Sequence, residues 1–250
     1  MRLPALAVLG AAAYAAFLAA TVPATWVAAK LQEESRGRLQ LLDAGGTLWH
    51  GTAKAVLDLS GAPGTIDRIE WRFRPERLAA GRLAFDVQAA APGLEARAEI
   101  GRSPAAWQAR DVMARADATT ASALLPWIAR FRPEGSLHVA SPAFSWDDRA
   151  ARGELRLEWR AASMSLSAIR PLGTYRAEVR AEGGPAKFTL TTLDGPLRIA
   201  GQGTLTAPSR LEFAGDARAE GPDAKSLEPL LELLGPRRAD GTRALLWRLN

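Results

Sequence analysis

The sequence predicts a mainly β protein: one apolar N-terminal helix able to span a membrane, then an exported antiparallel β-rich domain built as a curved sheet with two short helices. Three observations carry this. No charged residue occurs from Leu3 to Ala29, a run longer than the about 20 apolar residues that a helix needs to cross a bilayer. Beyond a short polar connector, apolar and polar residues alternate with a period of two, the pattern of strands with one buried and one solvated face. Between these runs stand clusters of Gly, Pro and Asp, the residues of tight turns.

The 250 residues suffice for a sizeable core, and 48% hydrophobic with 24% charged residues is a globular composition. The formal net charge is +5. The arginines, however, alternate with apolar residues and stand near Asp or Glu, so they read as solvated strand faces and not as a nucleic-acid patch. Cysteine is absent, which excludes disulfides, thiolate metal sites and cysteine nucleophiles.

Taken in order, residues 1–30 read as a membrane anchor, with Trp26 at the interfacial belt and Lys30 closing the run. The competing reading is a cleaved signal peptide ending at Val22-Pro23-Ala24, although signal-peptide apolar cores span only about 7–15 residues. Arg2 precedes the run while Lys30, Arg36 and Arg38 follow it beside Glu33 and Glu34. The positive-inside rule therefore casts no clear vote on orientation.

Residues 31–43 read as a connector and 44–250 as the β-rich domain. Its opening heptad, Gly45 to Gly51, reads as a tight turn into an extended Thr47-Leu48-Trp49 strand start. Ile69, Trp71 and Phe73 then alternate with Arg68, Glu70 and Arg72, and Leu83, Phe85 and Val87 with Arg82 and Asp86. The same period recurs at Leu155-Leu157-Trp159, Tyr175-Val179, Phe188-Leu190 and Leu197-Ile199. Turns are expected at 61–64, 91–93, 183–185 and 194–196.

Two stretches carry apolar residues at helical spacing instead, Thr119 to Phe131 and Ser226 to Leu234. Each is followed by a Gly-led strand. Ile69-Glu70-Trp71-Arg72 echoes Leu157-Glu158-Trp159-Arg160, and Gly46-Thr47-Leu48 echoes Gly135-Ser136-Leu137. The expectation is a degenerate duplication with halves 44–131 and 132–250.

The search for chemistry returns little. His50 and His138 are the two histidines, and neither has carboxylates at ligand spacing, so no zinc site is expected. Thr47 has no base. Glu70 and Glu158 form an imaginable glycosidase pair, but alternation with Trp71 and Trp159 puts them on the polar face as surface carboxylates. No Gly-x-Ser-x-Gly elbow is present, and Gly201-Gln202-Gly203 does not continue into a phosphate loop. Strand tryptophans Trp49, Trp71, Trp146, Trp159 and Trp247 read as core. No catalytic, cofactor-binding or metal-binding residue is named, and no cofactor is expected.

The anchor, the Gly45-Gly46-Thr47-Leu48-Trp49-His50-Gly51 opening, Glu70-Trp71-Arg72 running to Pro75, and the Leu-rich Leu227 to Gly235 before a terminal strand resemble the N protein of the bacterial type II (general) secretion pathway. The resemblance implies a non-enzymatic accessory of a machine that exports folded proteins from the periplasm across the outer membrane. It implies a single span in the bacterial inner membrane with the C-terminal domain in the periplasm. Implied partners are other inner-membrane components of the complex, or the outer-membrane channel. Two further readings stay open: a membrane-anchored periplasmic module that binds or transfers lipid on an apolar sheet face, and an envelope hydrolase.

Overall fold

A computed structural model describes residues 10, 13–14, 17–18, 20–58, 63–123, 129–147, 149–206 and 210–249. Of the expected membrane span over 3–29, residues 3–9, 11–12, 15–16 and 19 lie outside these. Among the described residues no helix is long and apolar enough to cross a membrane. The first helix, α1 (Ala24–Glu34), starts after Pro23, whose extended backbone sets up the first turn.

Thirteen strands follow, and they lie side by side in sequence order. In the first half these are β1 (Leu39–Gly46), β2 (His50–Asp58), β3 (Pro63–Phe73), β4 (Leu83–Ala91), β5 (Leu94–Arg102) and β6 (Trp107–Asp117). In the second they are β7 (Glu134–Trp146), β8 (Ala151–Ser163), β9 (Gly173–Glu182), β10 (Ala186–Asp194), β11 (Leu197–Thr206), β12 (Arg210–Ala219) and β13 (Arg243–Leu249). Every pairing is antiparallel. A 3-10 helix, Pro75–Ala80, joins β3 to β4; α2 (Ala118–Ala123) leads from β6 towards β7; a second 3-10 helix, Pro222–Leu227, runs into α3 (Glu228–Leu234) before β13. The sheet is thus a single antiparallel meander with two edges.

The segment read as a connector holds the last turn of α1 and most of β1. The opening heptad is the β1–β2 hairpin: β1 ends at Gly46 and β2 begins at His50, so Thr47-Leu48-Trp49 is the turn and not a strand start. The cause is local. Gly46 takes a positive φ of 87°, and the Thr47 hydroxyl accepts hydrogen bonds from the backbone N–H of Trp49 and His50, each at 3.3 Å. Of the two expected helices, the one over 119–131 is described at Ala118–Ala123, and residues 124–128 lie outside the described ones. The other is present as the second 3-10 helix and α3.

Register fixes which face each residue occupies, because side chains alternate across a strand. Glu70 pairs with Gln88 and Gln88 with Arg97; further along, Arg156 pairs with Glu178 and Glu178 with Thr189. The adjacent row, on the other face, runs Ile69, Ala89, Ala96 and then Val139, Leu157, Ala177, Leu190. One face is therefore charged across the sheet and the other apolar. Where the pairing slips, a bulge restores the parity: Asp111, at φ 49°, sits between the Arg97–Met113 and Glu99–Arg110 pairs and keeps Arg110 on the charged face.

The core lies on the apolar face at its two flanks. Beneath α3, Leu227, Leu230 and Leu231 pack with Leu197, Phe213, Ala217 and Leu245. At the other flank Ala24 of α1 packs with Ala53 and Trp71. Between them the apolar side chains are half-buried: Val139, Leu155, Leu157 and Val179 among others. The expectation that the strand tryptophans are core is corrected here. Only Trp71 is buried, whereas Trp49, Trp146 and Trp159 are half-buried and Trp247 is 43% exposed. A single layer gives most of its apolar face no second layer to pack against, and so fewer fully buried positions than a sandwich.

The echoed motifs use one device. Trp71 donates its indole N–H to the Leu48 carbonyl at 3.0 Å, and Trp159 donates to that of Glu134 at 3.0 Å. Leu48 lies in the β1–β2 turn two residues after the positive-φ Gly46, and Glu134 stands next to the positive-φ Gly135 at the start of β7. The expected halves meet without a break, since β6 and β7 pair from Trp107–Trp146 to Asp117–Ser136. Each sheet edge is blunted: α1 lies against β1, and the start of β13 pairs with 236–238 through Ala244 N–H to Pro236 O at 3.0 Å.

Leu245 is fully buried while its neighbour Leu246 is 74% exposed. Leu245→Ala should lower the unfolding free energy by about 3 kcal/mol, and Leu246→Ala should leave it within about 0.5 kcal/mol, both read by urea denaturation.

Candidate functional site

The charged face is concave. Residues from β3 through β8, from Arg68 to Arg160, line one trough of about 760 Å³. A second of about 780 Å³ continues it from β7 to β11. Strands five apart in the meander can share a concavity only if the sheet curves, and the bulges that add twist supply that curvature.

Ion pairs floor the trough. Arg176 of β9 bonds Glu158 of β8 at 2.8 Å, and Arg160 bonds the same carboxylate at 2.7 Å. Arg180 pairs with Glu154 at 2.9 Å and Arg156 with Glu178 at 3.3 Å. Glu70 pairs with Arg68. The three between β8 and β9 join residues directly opposite each other, the unit of sheet stabilisation, whereas Arg160–Glu158 and Arg68–Glu70 lie two apart along one strand. Hydrogen bonds from the Arg160 and then the Arg176 guanidinium hold the Glu158 carboxyl below the usual glutamate range. Its side chain is only 13% exposed, so the sequence reading of a solvated carboxylate holds for Glu70 and fails for Glu158.

His138 lies in register with Glu158, and its Nε2 is 3.2 Å from the Ser136 hydroxyl. Burial first, then the nearby positive charges of Arg160 and Arg115, push the imidazole pKa down. Serine, histidine and glutamate are thus brought together, which the sequence alone does not reveal. Each Glu158 oxygen, however, is taken by an arginine, so the carboxylate does not orient the imidazole as a triad acid would. The pair sits on a paired strand of the sheet, without the strained elbow that exposes a hydrolase nucleophile.

Glu70 and Glu158 line the same trough, but both are bound to arginine, and the Glu158 carboxyl is held low, the opposite of what a glycosidase acid needs. His50 pairs in register with Arg72 on β2–β3, five strands from His138, roughly 24 Å by strand spacing. The two histidines share no site. Among the described residues no group of three or more His, Asp, Glu or Cys could hold a metal ion. The trough is lined by guanidinium and carboxylate groups, most of the carboxylates paired with arginine.

Residues 37–245 match the family model of the type II secretion system protein N. The chain belongs to that family. The match begins two residues before β1 and ends inside β13, so it spans the meander. No curated protein and no solved structure matches the chain significantly. Membership makes the chain a component of type II secretion and thus of protein transport, in a family of secretion-system accessories.

Because the folded pKa of Glu158 is depressed, its ion pairs stabilise the fold above the ordinary glutamate value of about 4.3. That contribution is lost as pH falls through the lowered folded pKa. Glu158→Gln should therefore be less stable than the parent at pH 7, and the difference should shrink towards zero as pH drops below about 4. Urea melts of both proteins between pH 7 and pH 3 measure it.

Proposed function

We propose that the chain is a non-enzymatic structural accessory of the type II secretion machine. In this reading the apolar run that precedes α1 holds it in the inner membrane and the sheet stands in the periplasm. The observation that carries it is the family match over 37–245, which covers the sheet from edge to edge. The apolar run ahead of α1 is long enough to span, and the charged trough offers a broad face of paired ions to a protein partner. Its partners are other inner-membrane components of the complex, with a link to the outer-membrane channel as the longer reach.

A second reading, a periplasmic module that binds lipid, is favoured by one feature: the apolar side chains half-buried between the two flanking clusters. Mass spectrometry of the purified chain discriminates, since stoichiometric co-purified lipid would favour this second reading.

Deleting the chain from a secreting bacterium should leave folded substrates in the periplasm, and in vivo crosslinking from the charged face should capture other components of the complex. Normal export with intact assembly sinks the accessory reading. An alkaline-phosphatase fusion at the C-terminus should be active, and an inactive fusion would reverse the topology.

A further inference from the structure

The two ends of the sheet are unlike. At the end that carries α2 and α3, the apolar face beneath α3 is closed by Leu227, Leu230 and Leu231. The other end bears the β1–β2 hairpin, the first 3-10 helix and the β5–β6 and β7–β8 turns. It is also where residues preceding α1 join the fold: the Leu48 N–H bonds the Val22 carbonyl at 2.8 Å, and Pro23 bridges to Thr47.

From that junction a line of aromatic side chains runs along the same end. Trp49 meets Phe73 at 4.6 Å between ring centroids, and Phe73 meets Phe85 at 5.5 Å. Phe85 and Trp107 then line a recess of about 480 Å³, and Trp107 stacks with Trp146 at 6.4 Å. The line crosses from β2 to β7, five strand spacings or roughly 24 Å. Leu78 and Leu83, 53% and 41% exposed, rim the recess.

Two arginines stand in it as well. The Arg102 guanidinium lies 4.8 Å over the Trp107 ring, and Arg82 bonds the Gln108 side-chain oxygen at 3.1 Å. Neither forms an ion pair with a carboxylate among the described residues; Arg97 and Arg115 of the trough share that lack, whereas Arg156, Arg176 and Arg180 are paired. Exposed leucines and half-buried aromatic rings beside arginines with free charge fit a surface that is apolar below and anionic above. Indole rings settle at the level of lipid headgroups, and guanidinium groups pair with their phosphates.

We propose that this rim rests on the membrane, its aromatic line at the headgroup level and Arg82 and Arg102 against anionic phospholipid. The proposal rests on the anchored reading, since the apolar run enters the fold at this same end. The anchor then holds the rim against the bilayer, and the rim fixes the sheet upright, with α2 and α3 away from the membrane.

The chain contains no cysteine, so single spin labels report position without background. The full chain is reconstituted in vesicles of phosphatidylethanolamine and phosphatidylglycerol, labelled through Ala105→Cys in the β5–β6 turn or Asp223→Cys at the far end. The label at 105 should be several-fold less accessible to a water-soluble nickel chelate than the label at 223. Adding Arg82→Glu and Arg102→Glu should remove that protection. Equal accessibility in a chain that survives alkaline extraction from the vesicles overturns the rim proposal and leaves the anchor standing. Release by alkaline extraction overturns the anchored reading, and the proposal with it. Protection that is unchanged in detergent, or that arises only when other secretion components are added, overturns it in favour of burial by protein.

Discussion

The structure depends on unbroken register parity. All thirteen strands pair only with their sequence neighbours, so each ladder inherits its choice of face from the one before it. A slip of one residue at any ladder would turn charge inward and apolar side chains outward for every strand beyond. The bulges absorb such slips instead. The hairpins that set the register are pinned by local hydrogen bonds, as with the Thr47 hydroxyl and the Trp71 and Trp159 indoles.

Strands with strong alternation were legible from the residues alone: β3 through Ile69-Trp71-Phe73, β8 through Leu155-Leu157-Trp159, β9 through Tyr175-Val179. Those rich in alanine were not. In β5 and β6, Ala96, Ala98, Ala114 and Ala116 alternate with charge, but alanine is a poor strand former and a weak apolar marker. Strand β1 hid behind the Leu41-Leu42 doublet, which breaks the period. The Thr47-Leu48-Trp49 turn was misread because β-branched and aromatic residues favour strands, and here a hydroxyl that caps two backbone N–H groups outweighs that propensity.

The trough was less legible than the sheet. Glu158 looked solvated because its own strand offers only Arg156 and Arg160 as charged neighbours, and the clamp closes with Arg176, eighteen residues on. That partner follows from the β8–β9 register, which a bulge between Trp159 and Ala162 shifts. Ser136 and His138, two apart on one strand, were readable as a same-face pair; nothing in the sequence said that Glu158 stood opposite. The positive net charge likewise gained its meaning only from placement, since Arg156, Arg160, Arg176 and Arg180 answer carboxylates while Arg82 and Arg102 at the rim do not.

The meander also has a temporal consequence. No strand waits for a partner further along the chain than the next one, so the loops that must close are short and their entropy cost is small. A chain delivered from its N-terminus can lay down each strand on the edge left by its predecessor. The growing edge is always the newest strand, and it stays open until Pro236 to Arg238 and β13 complete the fold. Assembly order is thus written in strand order, and the last segment made is the one that caps the sheet.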